Sequence, residues 1–340
     1  MKTSANVLSL QQGLPQIVGG SRPDPEEGGK VHKSGAVYIQ TARGLRVHSL
    51  LREDEWHQLD SAVLTAVRYP LRAVADLKSK GLVHALGGLG TLISTWYTQS
   101  AVTPAHVNMS GQGGAERDLP DLAQVGVPVP VIFKEFSIDI RTLQASRMNG
   151  DALDVTAGAE AARVVAESLE SLMVAGHGTR LNGTPLYGYR NHPSRNTDSA
   201  TGDWGTITNI LPTITKLVNG LNADHYYGPY MVYLSTDQYN EASLTYFTDG
   251  SGDTPLDRIK RMSQIEDVRM LPPEVLPSGE IIGVEMRQGV VDWAEALDIQ
   301  VREWVSGDGM QSMFKVMAVA APRIKAHYGG QCGVMHITGA

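Results

Sequence analysis

What the chain lacks narrows its chemistry. A single cysteine, Cys332, among 340 residues excludes an internal disulfide framework and any cysteine-rich zinc site. Apolar residues never run together for the roughly 18 positions that cross a bilayer, so no transmembrane helix is expected. The opening MKTSANVLSLQQGLPQ has no continuous apolar core, so no secretory signal is expected either. An excess of positive charge is also missing. With 29 Lys and Arg against 36 Asp and Glu the net charge is −7, which argues against a surface built to wrap phosphates. No GxxxxGK[ST] occurs, and GGLGTL (87–92) lacks both the full GxGxxG spacing and a βαβ context, so no nucleotide site is expected.

The remaining candidates for chemistry are weak. Ten histidines form no HExxH or paired His–carboxylate zinc pattern. DGSGDTPLD (249–257) alternates oxygens as calcium loops do, but Thr254 stands where such loops need glycine, and Lys260 where they need glutamate. His327, Cys332 and His336 supply the residue types of a Cys–His nucleophile, yet no orienting carboxylate lies nearby in sequence. They read better as a terminal strand with a buried thiol. Asp292, Glu295 and Asp298 read as edge charges on a strand, with Glu295 pointing opposite to the other two. No catalytic, cofactor-binding or metal-binding residue is expected, and the chain does not read as an enzyme.

What is present is material for a core: 42% hydrophobic and 19% charged residues, enough for one large domain or two ordinary ones. GGSRPDPEEGGK (19–30) has no apolar period and reads as part of an extended arm. In LREDEWHQLDSAVLTAVRYP (51–70), Trp56, Leu59, Val63 and Ala66 fall at helical spacing. Pro70 stops or kinks that helix, and Leu71, Val74 and Leu77 continue an apolar face to Gly81. Residues 81–130 mix strand formers with glycine and polar loop, as a protruding two-stranded ribbon would.

VIFKEFSIDIRTL (131–143) alternates as a strand. A long amphipathic helix is expected from an N-cap at Thr156 to about Ala175. Its stripe is Ala161, Val164, Val165, Ser168, Leu169, Leu172 and Met173, with Glu170 largely elsewhere and Gly176 as the stop. A polar loop (189–205), a helix kinked at Pro212 (206–219) and a strand (230–236) follow. Next come a short helix, a turn-rich stretch to Pro277, and a strand at 280–286. Two long strands around 293–304 and 314–328, joined by SGDGMQS, read as a β-hairpin.

This order of elements resembles the Hong Kong 97-type capsid fold of tailed phages, which encapsulin nanocompartments share. The resemblance covers roughly 51–336. LREDEWHQLDSAV is similar to the N-terminal helix of encapsulin-like shell proteins. PVIFKEFSIDIRTLQAS, AGAEAARVVAESLESLMVAGHG and LNGTPLYGY resemble the family's strand, spine helix and exit. GPYMVYLSTDQY resembles the axial insert, and VMAVAAPRIKA, with Pro322, the closing strand.

The resemblance implies an α+β fold with an N-terminal arm (1–53), a helix region (54–80) and an extended loop (81–130). It implies a peripheral domain in two parts (131–204 and 294–340) around an axial domain (205–293). It further implies a self-assembling major capsid protein, in pentamers and hexamers, forming an icosahedral shell around the double-stranded DNA of a tailed phage. Its alternative is an encapsulin-type shell around an enzyme cargo. Scaffolding, portal and cement proteins are the implied partners, with assembly in host cytoplasm and residence in the virion. The arm and the loop are longer than in a minimal encapsulin, which favours the viral branch. Trp56, Trp96 and Tyr97 are the expected inter-subunit contacts, Trp96 and Tyr97 being large amphipathic side chains of the kind that anchor interfaces, with packing within the ribbon's own base as the alternative for those two.

Overall fold

Helical spacing in the first apolar segment holds. Glu53–Arg68 is a helix that buries Trp56, Leu59 and Val63. Its entry is fixed by Glu55, whose carboxylate accepts from the backbone N–H of Arg52 at 2.7 Å, as a capping glutamate does. The computed structural model describes residues 30–31, 37–41, 44–47, 51–68, 71–110, 117–149, 155–181, 183–247, 252–307 and 309–340. Most of the expected arm, and Pro70, lie outside these. Within the arm, Val37–Thr41 pairs antiparallel with Lys30–Val31 and with Gly44–Val47.

Two units partition the chain, one from residues 1–69, 133–165 and 299–317, the other from 70–132, 166–298 and 318–340. In the first, Trp56 meets Phe314 edge-on at 6.0 Å between centroids, and Phe136 stacks on the same ring at 5.0 Å. Glu55 is buried there against Arg147, whose guanidinium reaches both carboxylate oxygens at 2.8 and 2.6 Å.

The second unit is organised by a five-stranded sheet. Its order is Asn196–Ser199, Val334–Thr338, Glu280–Glu285, Tyr230–Leu234 and Ile265–Met270. The inner three strands pair antiparallel, and each edge strand lies parallel to its neighbour. Every residue of Tyr230–Leu234 is buried, as a central strand covered on both faces requires. Helix Ile210–Ala223 lays Ile210, Ile214, Leu217 and Leu221 into the same core. Pro212 falls in its first turn, where no backbone N–H is needed, so it starts the helix rather than kinking it.

The spine helix runs Thr156–Ala175, with Thr156 already its first helical residue and Gly176 at φ +71° beyond its end. Glycine is required at that stop. A Cβ on Gly176 would lie 2.7 Å from the Leu186 carbonyl oxygen and 2.6 Å from the Gly188 nitrogen. The exit loop presses this close because Tyr189 and Arg190 donate their N–H groups to the last carbonyls, those of Met173 and Val174.

The buried face is rotated from the expected stripe. Ser168 is exposed, whereas Ala162, Ala166 and Glu170 are fully buried. Periodicity alone puts Glu170 among the outward charges. It is inside because its carboxylate accepts from Ala73 and Val74, the first amides of helix Ala73–Ser79, at 2.6 and 3.2 Å.

The long strands Val291–Val305 and Gln311–Ile324 form the expected hairpin and contribute residues to both units. Two strands and a helix sit where the pattern suggests only loop and turn: Asn196–Ser199, Ile265–Met270 and Pro255–Lys260. Asn196–Ser199 is a sheet edge with no apolar side chain, and Ile265–Met270 is one whose Ile265, Val268 and Met270 do not alternate, so the pattern that marks a strand is faint.

Candidate assembly surfaces

The extended loop is built as a ribbon. Ile93–Gln99 pairs antiparallel with Leu122–Pro128, from Ile93 opposite Pro128 to Gln99 opposite Leu122. Beyond the paired strands, Asp118 accepts from both the amide and the hydroxyl of Thr103.

Period-two geometry sends neighbouring residues to opposite faces. Trp96 and Tyr97, expected to act together, are therefore separated. Tyr97 stands outward and is 69% exposed; near it Leu122 is 68% exposed. Trp96 turns inward and is half-buried, with the Arg323 guanidinium 5.7 Å from its ring centroid. Its indole Nε1 is buried and has no acceptor among the described residues.

The inward face roofs a cavity of about 390 Å³, lined by Trp96, Val125, Tyr187, His192, Pro322 and Tyr328 among others. Burial pushes the His192 imidazole down to about 4. Its Nδ1 accepts the Ser194 N–H at 3.2 Å, which requires a ring nitrogen free of a proton.

A buried ion cluster fixes the ribbon's root. Arg323 grips Asp292 with two bonds of 2.5 Å and donates to Ser94 Oγ at 3.1 Å, while Lys325 Nζ reaches Asp292 at 2.8 Å. Asp292 is thus not the edge charge its position suggested. It is buried because two cations converge on it. Glu295 and Asp298 do lie at the surface, and both pair with Lys78, at 2.6 and 2.9 Å. One ammonium nitrogen meets both carboxylates, so they do not point apart as strand alternation suggested.

Trp56 has a different fate from the ribbon aromatics. It is 3% exposed, and its ring is committed to packing on Phe314 within its own unit, which leaves no face for a neighbouring subunit.

The side chains that could carry chemistry are committed to packing, pairing and capping. Cys332 is buried, and burial raises its thiol to about 12, the wrong direction for a nucleophile. His336 pairs with Glu280 at 3.0 Å, whereas His327 accepts a turn amide from Gly329 at 3.4 Å. Part of the 249–257 stretch lies outside the described residues. Of the rest, Thr254 and Asp257 form the capping box of helix Pro255–Lys260, and Asp253 pairs with Arg261. Among the described residues no three His, Cys, Asp or Glu side chains are grouped to hold a metal, and no helix is long and apolar enough to cross a membrane.

A sequence model of a family of unknown function, DUF6260, matches residues 46–337. The chain belongs to that family. It is also 26% identical over 285 residues to the type 1 encapsulin shell protein EncA of Myxococcus xanthus, a match covering 81% of this chain and 90% of that protein. Among solved structures, the virus-like particle from Pyrococcus furiosus superposes with a TM-score of 0.61 at 16% identity, over 83% of this chain and 98% of that one. The capsid of Myoviridae phage XM1 gives 0.60 at 15% identity, over 76% and 89%. This DUF6260 member therefore has the capsid-like shell fold of the Hong Kong 97 type that its order of elements implied. Its relatives in both comparisons are structural shell proteins rather than enzymes.

Proposed function

We propose that this chain is the major subunit of an icosahedral shell, assembled as pentamers and hexamers, and that the shell is the head of a tailed phage enclosing double-stranded DNA. The observation that carries the assembly reading is the ribbon. Its root is locked by the buried Arg323–Asp292–Lys325 cluster while Tyr97 and Leu122 stand in water. Large apolar side chains on a rigid projection gain most by burial against another copy. Trp96 faces the other way, so a neighbour's segment would have to enter the cavity beneath the ribbon to reach its orphan indole N–H. Many such modest contacts add through avidity.

The division into arm (1–53), helix region (54–80), extended loop (81–130), peripheral domain (131–204 and 294–340) and axial domain (205–293) is part of the proposal. So are scaffolding, portal and cement partners and assembly in the host cytoplasm. Surplus chain supports the DNA content. The family match begins only at residue 46, and the encapsulin relative, itself matched over 90%, accounts for 81% of this chain. Extra chain is costly to order unless it reinforces a wall, and a wall under DNA pressure needs reinforcement. A net charge of −7 suits a genome driven in rather than attracted.

The match to EncA over most of its length favours a second reading, a compartment around an enzyme cargo. Purified native particles decide between the two. Nuclease-protected DNA and a portal protein in the mass spectrum are expected. Particles free of DNA and filled with one co-purifying enzyme would establish the second reading.

A further inference from the structure

Two features of the ribbon are unsatisfied within one copy, and they complement each other. The first is the cavity of about 390 Å³ beneath its inner face, a volume within the range of ligand pockets. Its lining is largely apolar and stiff, with Trp96, Tyr187 and Tyr328 beside Pro185, Pro193 and Pro322. One polar demand is unmet there. The indole N–H of Trp96 is buried and has no acceptor among the described residues, and His192, on the same lining, spends its Nδ1 on the Ser194 N–H. A donor buried in this way is costly until an acceptor meets it. The occupant that fits is slender, apolar and able to offer a carbonyl oxygen, as an extended stretch of peptide is.

The second feature is the ribbon's tip. Past the paired strands, Ser100 donates its N–H to the Asp121 carbonyl at 2.9 Å, and Asp118 ties down Thr103. Asn108 then closes a bend by accepting from the Ser110 N–H at 2.9 Å. Between these braces, residues 104–107 belong to neither helix nor strand, and no hydrogen bond among the described residues holds them. Their carbonyls are open to a partner. Apolar side chains stand in water around them: Val107 is 94% exposed and Leu119 92%. Such exposure in a braced segment marks a contact surface. The pairing from Ile93 with Pro128 to Gln99 with Leu122, continued by the braces, carries the tip away from the cavity of its own copy. About 24 Å of extended chain separates Trp96 from Thr103.

We propose that the cavity beneath the ribbon receives the ribbon tip of a second copy, with Val107 against the aromatic lining and a backbone carbonyl of residues 104–107 accepting from the Trp96 indole. This rests on the shell-subunit reading and names the surface that receives its ribbon. Burial of Val107 supplies attraction, and the orphan donor supplies register, since only an acceptor satisfies it. Tip and cavity are different patches of one chain, so the contact is heterologous, the kind that builds rings when its rotation closes.

Cross-linking between copies tests the contact. Val107→Cys and Tyr328→Cys are made as separate full-length proteins. Tyr328 lines the cavity and is 52% exposed, whereas the native Cys332 is fully buried and leaves the background silent. Particles assembled from an equal mixture and treated with a short bismaleimide should give a cross-linked dimer that neither variant gives alone. Particles of normal yield without that dimer, or the same band from Val107→Cys alone, would overturn the proposal and leave the shell reading standing. Where particles fail to form, from the wild type or from the variants, a synthetic peptide of residues 102–109 titrated into the full-length subunit decides about the cavity. Saturable binding, weakened about tenfold by Trp96→Phe, is expected. No binding, or binding unchanged by Trp96→Phe, would overturn the proposal. A wild type that forms no particles counts against the shell reading alone.

Discussion

The central sheet and the ribbon belong to one unit and use apolar residues in opposite ways. Tyr230–Leu234 buries all five side chains, with Tyr230, Val232 and Leu234 in the core of helix Ile210–Ala223 and Tyr233 stacked on Tyr189. Ile93–Gln99 buries only Ser94 fully and presents Tyr97 to water. The sheet is stabilised by what surrounds it in its own subunit. The ribbon is fixed at its root by a buried ion pair and its inner face roofs a cavity of the same unit, while Tyr97 and Leu122 on its outer face stand in water. Changes in the core should therefore unfold the subunit, and changes on the outer ribbon should spare it.

Leu169→Asp should break the body most severely. It places a carboxylate on the buried face of the spine helix, at a cost of several kcal/mol. Insoluble protein or loss of the cooperative melt is expected; normal folding would mean the helix face is misassigned. Asp292→Ala comes next. It strands the buried Arg323, and breaking such a buried pair costs about 3–5 kcal/mol. Urea unfolding should show that loss, and a change within error would show that the cluster does not anchor the ribbon.

These two residues also mark how far the sequence can be read. Period 3.6 places the spine helix and Leu169 within it, but it also places Ser168 inside and Glu170 outside. Helical periodicity counts apolar residues, so a carboxylate buried to cap another helix is invisible to it. Asp292 escapes for the same reason, because its two cations lie more than thirty positions along the chain. The ribbon and the hairpin are legible from alternation and glycine-rich turns. The edge strands Asn196–Ser199 and Ile265–Met270 are not, since the first has no apolar residue and those of the second do not alternate. Of the three expected contact residues, Tyr97 stands outward, Trp96 lines the ribbon's inner face, and Trp56 lies in the core. The sequence shows that an aromatic is amphipathic, not which side of the fold it faces.

A smaller effect probes the junction between body and ribbon. His192 lines the cavity beneath the ribbon, held by burial at about 4 against an ordinary 6.5. The unfolded chain takes up the proton first, so its contribution to stability is intact above pH 6.5 and is lost as pH falls toward 4. Melting temperatures should drop across that window, and His192→Asn, which keeps an acceptor for Ser194, should flatten the drop. An unflattened curve would place the acid sensitivity elsewhere.

The smallest effect on the fold is expected from Tyr97→Ser combined with Leu122→Ser. Both positions are exposed, so subunit stability should change by no more than about 0.5 kcal/mol. Particle yield should fall sharply in the same preparation. Equal losses of subunit stability and of particles would dissolve the contrast between body and ribbon.

Assembly itself tests the central claim most directly. Sedimentation and negative-stain images of the purified full-length protein, alone and co-expressed with its neighbouring gene products, should show capsomers and closed shells of uniform diameter. A stable monomer that never assembles under either condition would contradict the account.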